Sequence, residues 1–128
     1  MNGDIDLGTE YGDILGNIDG REVLISLDPS SWLVSVSFFR PDTKLIRIDM
    51  SVPDCIGSVG TALTMLADVQ VNLISVFTKV MISYQAMGIE MVADIEDWEG
   101  SLDDLRKSLS DYLSKQNGVY ELTAVREL

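Results

Sequence analysis

The hydrophobic period of the chain changes between residues 44 and 68, and this change restricts the fold more than any other feature. In "KLIRIDMSV" (44–52) apolar and polar residues alternate, as expected of a strand with one buried face. The residues predicted to point inward are Ile46, Ile48, Met50 and Val52. Apolar residues then recur at helical spacing over 58–68, as Val59, Ala62, Leu63 and Leu66. A strand followed at once by an amphipathic helix is therefore predicted.

The remaining segments repeat this order with an extra strand between the helices. "VNLISVFTKVMISY" (71–84) has the composition of a strand, and "AMGIEMVADIE" (86–96) alternates. Ser101 and Asp104 have the spacing of a capping box, and the helix they begin carries an apolar stripe of Leu102, Leu105, Leu109 and Leu113. "NGV" (117–119) ends that helix, and "YELTAVREL" (120–128) is a last strand. The order predicts an α+β, ferredoxin-like βαββαβ fold, an antiparallel sheet with two helices on one face.

Two more strands are predicted before this unit. "REVLISL" (21–27) and "WLVSVSFF" (32–39) are joined by a "DPSS" turn, and Trp32, Val34, Val36 and Phe38 are expected on one face. A second turn, "RPDT" (40–43), favours a three-stranded meander with 44–52. That pairing conflicts with the central place of 44–52 in a ferredoxin-like sheet, and both arrangements stay open. The predicted organisation is an acidic loop or loosely ordered arm (1–20), a hairpin extension (21–43) and the main domain (44–128).

Composition excludes several classes of function. The chain has 128 residues and a net charge of −12, with 9 Lys and Arg against 21 Asp and Glu. Such a surface repels a phosphate backbone, so no direct nucleic-acid partner is expected. No apolar run is long enough to span a bilayer, and we expect a cytoplasmic protein without a membrane partner. With no histidine and one cysteine, no Cys-His or Ser-His pair is possible, and we predict no catalytic residue, metal or cofactor.

The stretch "DCIGSVGTALTMLADVQVNLISV" (54–76) resembles the opening of an ACT domain. The common pattern of that family is Asp-x-Pro-Gly, a helix, and then Val-Asn-Ile at the next strand. Asp54 and Gly57 match the first motif and Asn72 matches the second, whereas Ile56 stands where the family often has proline. The resemblance covers about residues 44–128. It implies a regulatory module that pairs side by side with a second copy and binds an amino acid or similar small effector between the two.

The residues predicted to contact such an effector lie at two places in the sequence. They are Asp54, Cys55, Ile56, Gly57 and Ser58 in the first turn, and Asn72 and Leu73 at the start of the next strand. A helix start offers unpaired N–H groups to a carboxylate, Asp54 suits an ammonium group, and Asn72 can donate and accept. The same residues also have a purely structural interpretation. In that interpretation Asp54 or Ser58 caps the helix, Gly57 makes a turn, Asn72 bonds a loop, and Cys55 is inert and buried.

The function predicted from the sequence is a non-catalytic, allosteric regulatory domain that forms a homodimer and senses an amino acid or related effector. Its target would be an enzyme or a transcription factor. The alternative is an assembly module that pairs subunits without a ligand. A third interpretation, an enzyme that uses Cys55 or the carboxylates Glu96, Asp97 and Glu99, is the least favoured. The strand 71–84 is apolar on both faces and lies at a sheet edge, so we expect a second chain or residues 21–39 to cover it.

Overall fold

The computed structural model describes residues 23–38, 43–82 and 85–128. The expectations for the arm 1–20 and for positions 40–42 of the "RPDT" turn lie outside the described residues. The strands are β1 (Val23–Asp28), β2 (Leu33–Phe38), β3 (Leu45–Pro53), β4 (Asn72–Ile82), β5 (Ala86–Asp94) and β6 (Glu121–Glu127), and the helices are α1 (Ser58–Asp68) and α2 (Leu102–Ser114). The chain divides into two compact units, Met1–Pro41 and Asp42–Leu128.

In the first unit, β1 and β2 form an antiparallel two-stranded sheet. The turn between them is held by Asp28, whose carboxylate accepts hydrogen bonds from the Ser30 N–H (3.0 Å) and from the hydroxyls of Ser30 and Ser31. These bonds stabilise the charged form and lower the pKa of Asp28 to about 2. Trp32 has φ 55 and belongs to the turn. The prediction that Trp32 lies on a strand is therefore wrong, because this left-handed backbone cannot continue an extended strand.

The second unit is a four-stranded sheet in the order β4-β5-β3-β6, with antiparallel pairing throughout. The predicted meander of residues 21–52 is wrong, because β5 and β6 occupy both hydrogen-bonding edges of β3 and leave none for β2. The protein thus has an α+β, ferredoxin-like fold preceded by an extra hairpin, as the order of segments predicts.

One hydrophobic core joins both helices to the same face of this sheet. Alternate residues of β3 and β5 are buried together with the predicted stripe of α2, which supplies Leu105, Leu109 and Leu113. The buried residues of β3 and β5 on this face are Ile46, Ile48, Met50, Val52, Ile89, Met91 and Ala93, and β6 adds Val125. Because strand residues two apart share a face, both helices must cover that one face. The inward set predicted for 44–52 is confirmed.

Helix α1 buries a different arc from the one predicted. Its buried residues are Ser58, Ala62, Met65 and Leu66, while Leu63 is 37% exposed and Val59 is only partly buried. Helical spacing allows a core-facing stripe through either Leu63 or Met65. The helix contacts β3, β4 and α2 together, and this packing selects the arc that contains Met65.

The opposite face of the sheet carries charged side chains. Arg47 contacts Asp49 at 2.8 Å and Glu90 at 2.9 Å, and Arg126 lies 3.8 Å from Asp49. The hydrogen bond to Asp49, with the charges of Asp49 and Glu90, raises the pKa of Arg47. These groups are partly exposed to solvent, so the ion pairs add little to the stability of the fold.

Strand β4 is an edge strand that departs twice from regular pairing. Its register with β5 shifts between Leu73 and Ser75 and again between Val80 and Ile82. Each shift inserts one extra residue, Ile74 or Met81, as in a β-bulge.

No helix within the described ranges 43–82 and 85–128 is long and apolar enough to cross a membrane.

Candidate functional site

The turn of residues 54–58 connects β3 to α1 and is fixed by backbone hydrogen bonds. The Cys55 N–H donates to the Pro53 carbonyl (2.9 Å), and the Ser58 N–H donates to the Cys55 carbonyl (3.3 Å). The Asp54 N–H donates to the carbonyl of Gln85, just before β5 (3.3 Å). The first five predicted site residues therefore lie together, at the end of the sheet where β3 ends and β5 begins.

The start of α1 has no side-chain cap. Gly57 is the N-cap residue, with φ 93, and this N-cap makes no side-chain hydrogen bond to the first turn. The first turn also contains no acidic residue. The structural interpretation in which Ser58 caps the helix is wrong, since Ser58 is the first helical residue and a glycine in the left-handed region precedes it as the N-cap. A Cβ atom at Gly57 or at Gly60 would meet no atom within 4 Å, so the approach to this helix end is open.

Ser58 and Cys55 have the opposite burial from that expected of their residue types. Ser58 is 1% exposed, and its hydroxyl lies 3.2 Å from the Cys55 sulfur. Cys55 is exposed, so the expectation of a buried cysteine is wrong. Ser58 faces the core at the first helical position, and Cys55 precedes the helix on the turn's outer side. Ile56, at the tip of the turn, is fully exposed.

Asn72 and Leu73 lie at the other end of the same sheet. Asn72 begins β4 and is paired in register with Asp94, which in turn is paired with Leu45 at the start of β3. The nine residues of β3 separate this end from Pro53, a distance of roughly 26 Å at about 3.3 Å per residue. Within one chain the structure does not bring Asn72 and Leu73 to the 54–58 turn.

Other residues, which the sequence analysis missed, are the neighbours of this turn. Ile82, at the end of β4, aligns with Ala86 and Pro53 across the sheet. Gly118, with φ 107, approaches Pro53 so closely that a Cβ on it would lie 3.0 Å from the proline Cγ. Pairing the two segments 71–84 and 86–96 as an antiparallel hairpin would have found Ile82, whereas no local signal indicates the approach of Gly118.

The carboxylates before α2 do not form an acid–base pair. Glu96, Asp97 and Glu99 are exposed, and the Asp94 carboxylate accepts from the Glu96 N–H (2.8 Å). The structure thus favours a solvated loop over a catalytic pair as the interpretation of these carboxylates. In the part of the chain that the structure describes, no group of three or more Cys, Asp or Glu side chains could hold a metal ion.

Comparison with known proteins supports the fold at the level of structure. The chain is similar to the crystal structure of a formyltetrahydrofolate deformylase from Pseudomonas syringae pv. tomato, with a TM-score of 0.55 and 11% identity over 70% of this chain. It also matches part of a formyltetrahydrofolate deformylase from Pseudomonas putida, with a TM-score of 0.48 and 14% identity over 62% of this chain. The match spans only 29% and 28% of the two deformylase chains. Comparison with family models and with curated protein sequences gave no match. At this identity the likeness shows the fold alone.

Proposed function

We propose that the 44–128 domain is an ACT-like regulatory module that pairs along β4 with a second copy and binds an amino acid or related small molecule between the two. The observation that carries this proposal is the combination of an apolar open edge at β4 with an uncapped helix start at Gly57. The motifs at Asp54, Gly57 and Asn72 and the ferredoxin-like order of the strands support the family resemblance. The partial match to a deformylase is compatible with a domain that accompanies an enzyme.

The edge strand β4 and the neighbouring helix expose several apolar side chains that a second copy could cover. Val76 and Val80 lie in register with Met91 and Met87, so they point to the helix side of the sheet. They are 36% and 54% exposed, and Leu63 on α1 is 37% exposed. Met81 and Ile82 at the end of the strand are also exposed. A second sheet that continues this edge would satisfy the backbone of β4 and cover these side chains.

A two-fold axis through the middle of β4 would bring the two separated parts of the predicted site together. The bulged residues Ile74 and Met81 lie three and four residues on either side of Phe77, the middle residue of β4. Antiparallel pairing of two copies about that centre places the partner subunit's Asn72 beside the end of β4 near Ile82. Since Ile82, Ala86 and Pro53 lie in one row, three strand spacings, or about 14 Å, would separate the partner's Asn72 from Pro53. The turn 54–58 follows Pro53, so an effector that contacts both parts would lie across the end of the sheet, over Ile82 and Ala86.

The chemistry of the two parts suits a zwitterion. The open first turn of α1 presents backbone N–H groups and the positive end of the helix dipole, which favour a carboxylate. Asp54 carries a carboxylate next to this turn, where it would attract an ammonium group. The amide of Asn72 from the partner subunit would donate and accept at the opposite wall. An amino acid carries both charges, so it is the class of effector that this arrangement favours.

A second candidate is an assembly module without an effector. It is favoured by the separation of Asn72 from the turn within one chain and by the apolar edge, which needs no ligand to pair. Binding of an amino acid distinguishes the two candidates. The target of either module would be an enzyme or a transcription factor, and no catalytic role is proposed for the domain itself.

The proposal is tested by sedimentation velocity together with a thermal-shift screen of the amino acids. The parent protein should sediment as a dimer, and at least one amino acid should raise its unfolding temperature, because a ligand specific for the native state stabilises it. Val80→Asp should dissociate the dimer and abolish the shift, since a charge would be buried at the interface. Val119→Asp is the matched control: Val119 is 80% exposed on the loop before β6, and its substitution should leave the dimer intact. A monomeric parent protein would contradict the proposal, and a dimer that no amino acid stabilises would leave the assembly module.

A further inference from the structure

The β1–β2 hairpin has one wholly apolar face. Cross-strand register pairs Val23 with Phe38, Ile25 with Val36, and Leu27 with Val34, and paired residues point to the same side. We call these six residues the hairpin face. Ile25, Leu27 and Val34 are 45%, 69% and 60% exposed. The part of the hairpin face nearest the turn is thus open to solvent.

The other side of the hairpin is mostly polar. It carries Leu24, Ser26, Asp28, Leu33, Ser35 and Ser37. The hairpin is therefore amphipathic: one side is wholly apolar, and the other carries three serines and Asp28 together with two leucines, of which Leu33 is 47% exposed. An isolated two-stranded hairpin is at best marginally stable in water, and it gains stability when its apolar side is covered. The hairpin face thus has the composition of a surface that packs against another apolar surface.

The distribution of charge indicates which kind of partner fits. Residues 23–38 contain one charged residue, Asp28, out of the 30 charged residues of the chain, which are 9 basic and 21 acidic. Two copies, each with a net charge of −12, repel each other least where neither carries charge. The carboxylate of Asp28 is held by Ser30 and Ser31 on the turn. A basic partner would find no counter-charge on this face, and the acidity of the rest of the chain opposes an anionic lipid surface.

We propose that the hairpin face packs against the hairpin face of a second copy of this chain. A two-fold axis makes such a contact self-complementary, with the aliphatic pairs of one hairpin facing those of the other across about 10 Å. The hairpin face measures roughly 20 by 10 Å, because each of the two strands is six residues long and neighbouring strands lie about 5 Å apart. That footprint is well below the roughly 800 Å² per partner of a stable complex, so the contact is weak by itself. It is independent of the proposed effector site, and it would link copies beyond those that pair along β4.

The test is sedimentation equilibrium of the full chain over a wide range of concentration, comparing Val34→Asp with Ser35→Asp. The two neighbouring residues point to opposite sides of β2, so the two variants add the same charge at almost the same place. Val34→Asp should weaken one step of self-association at least tenfold, and Ser35→Asp should leave that step unchanged. Circular dichroism of both variants shows whether each is folded. The comparison of Val34→Asp with Ser35→Asp is then repeated in protein that also carries Val80→Asp. This separates association through the hairpin face from pairing along β4.

Three results would overturn the proposal. Equal association of the parent and both variants would show that the hairpin face is not the contact. A second result is that hydrogen exchange finds the β1 and β2 amides protected in a monomer, and equally protected in Val34→Asp. The hairpin face would then have no role in contacts between copies. Binding of the parent protein, but not of Val34→Asp, to phosphatidylcholine vesicles without self-association would assign the face to a lipid surface.

Discussion

The two helices cover the same face of one sheet, but their first turns differ. At α2 the Ser101 hydroxyl accepts from the Asp104 N–H (3.1 Å), and the Asp104 carboxylate accepts from the Ser101 N–H (3.0 Å). Asp103 and Asp104 place negative charge at this end of the helix. At α1 a bare glycine in the left-handed region begins the helix, with no side-chain cap and no acid in the first turn. One helix start is capped by side chains, whereas at the other the Ser58 N–H donates to the backbone carbonyl of Cys55 and the N-cap makes no side-chain hydrogen bond.

This difference bears on the effector site proposed above. A helix start that is already capped by its own side chains gains little from an external anion, because its N–H groups and dipole are compensated. The indole N–H of Trp98 also donates to the Ser101 carbonyl (3.1 Å), and this bond fixes the loop before α2. The start of α1 has an open approach at Gly57 and Gly60. The four predictions that follow test this contrast, from the largest expected effect to the smallest.

Gly57→Ala and Gly60→Ala should change stability in opposite directions. Neither added methyl group meets an atom within 4 Å, so only the backbone conformation distinguishes the two positions. At Gly57, with φ 93, alanine should destabilise the fold by about 1–2 kcal/mol. Within the helix at position 60 it should stabilise by about 0.5–1 kcal/mol. Urea unfolding of both proteins measures the difference, and equal effects would show that Gly57 is not selected for its conformation.

Asn72→Ala should weaken binding of an amino acid effector about tenfold and leave the stability of the free protein almost unchanged. The reason is that Asn72 is exposed in one chain and would meet the effector only from the partner subunit. Loss of one hydrogen bond to a ligand is worth about 1–2 kcal/mol. Calorimetric titration and unfolding of the same variant separate the two quantities. Unchanged affinity for an identified effector would remove Asn72 from the site.

Ser101→Ala should destabilise the protein by about 1 kcal/mol, because it removes the cap of α2. The matched change at the first helical position of α1, Ser58→Ala, removes a hydroxyl that caps nothing and contacts only the Cys55 sulfur among the hydrogen bonds described. Its effect should be smaller. Thermal unfolding of both variants gives the order. A larger loss of stability in Ser58→Ala would mean that the buried hydroxyl of Ser58 contributes more to stability than the cap at Ser101.

The smallest effect is the part of the pH dependence of stability that comes from the start of α2. The hydrogen bond from the Ser101 side chain lowers the pKa of Asp104 below its ordinary value of 3.8. A carboxylate with a lowered pKa in the folded state stabilises the fold above its unfolded pKa, and this stability is lost as the pH falls through the folded pKa. Asp104→Asn should therefore flatten the fall in stability below about pH 4. An unchanged acid-unfolding curve would show that the capping carboxylate adds nothing.

The strand and helix segments could be predicted from the sequence because their signals are local. Alternation in 44–52 identified the buried residues of β3, and the capping box at Ser101 located the start of α2 to the residue. The arc that α1 buries could not be predicted, because stripes through Leu63 and through Met65 both satisfy helical spacing. In the site, the residues 54–58 were found together because they are contiguous, and the relation of Asn72 to them was not predictable from spacing.

The sequence by itself determined the order of strands and helices, the core-facing residues of β3 and α2, and the glycine that turns the chain into α1. Those features follow from backbone preferences and hydrophobic periodicity, which act over a few residues. The order of the segments also predicted a central strand 44–52 and an edge strand 71–84, and tertiary structure decided that β2 does not pair with β3. It also placed Asn72 at the opposite end of the sheet from Pro53. Whether the edge of a strand pairs with a sequence neighbour or with a strand far along the chain depends on long-range packing, which a local turn signal such as "RPDT" does not record.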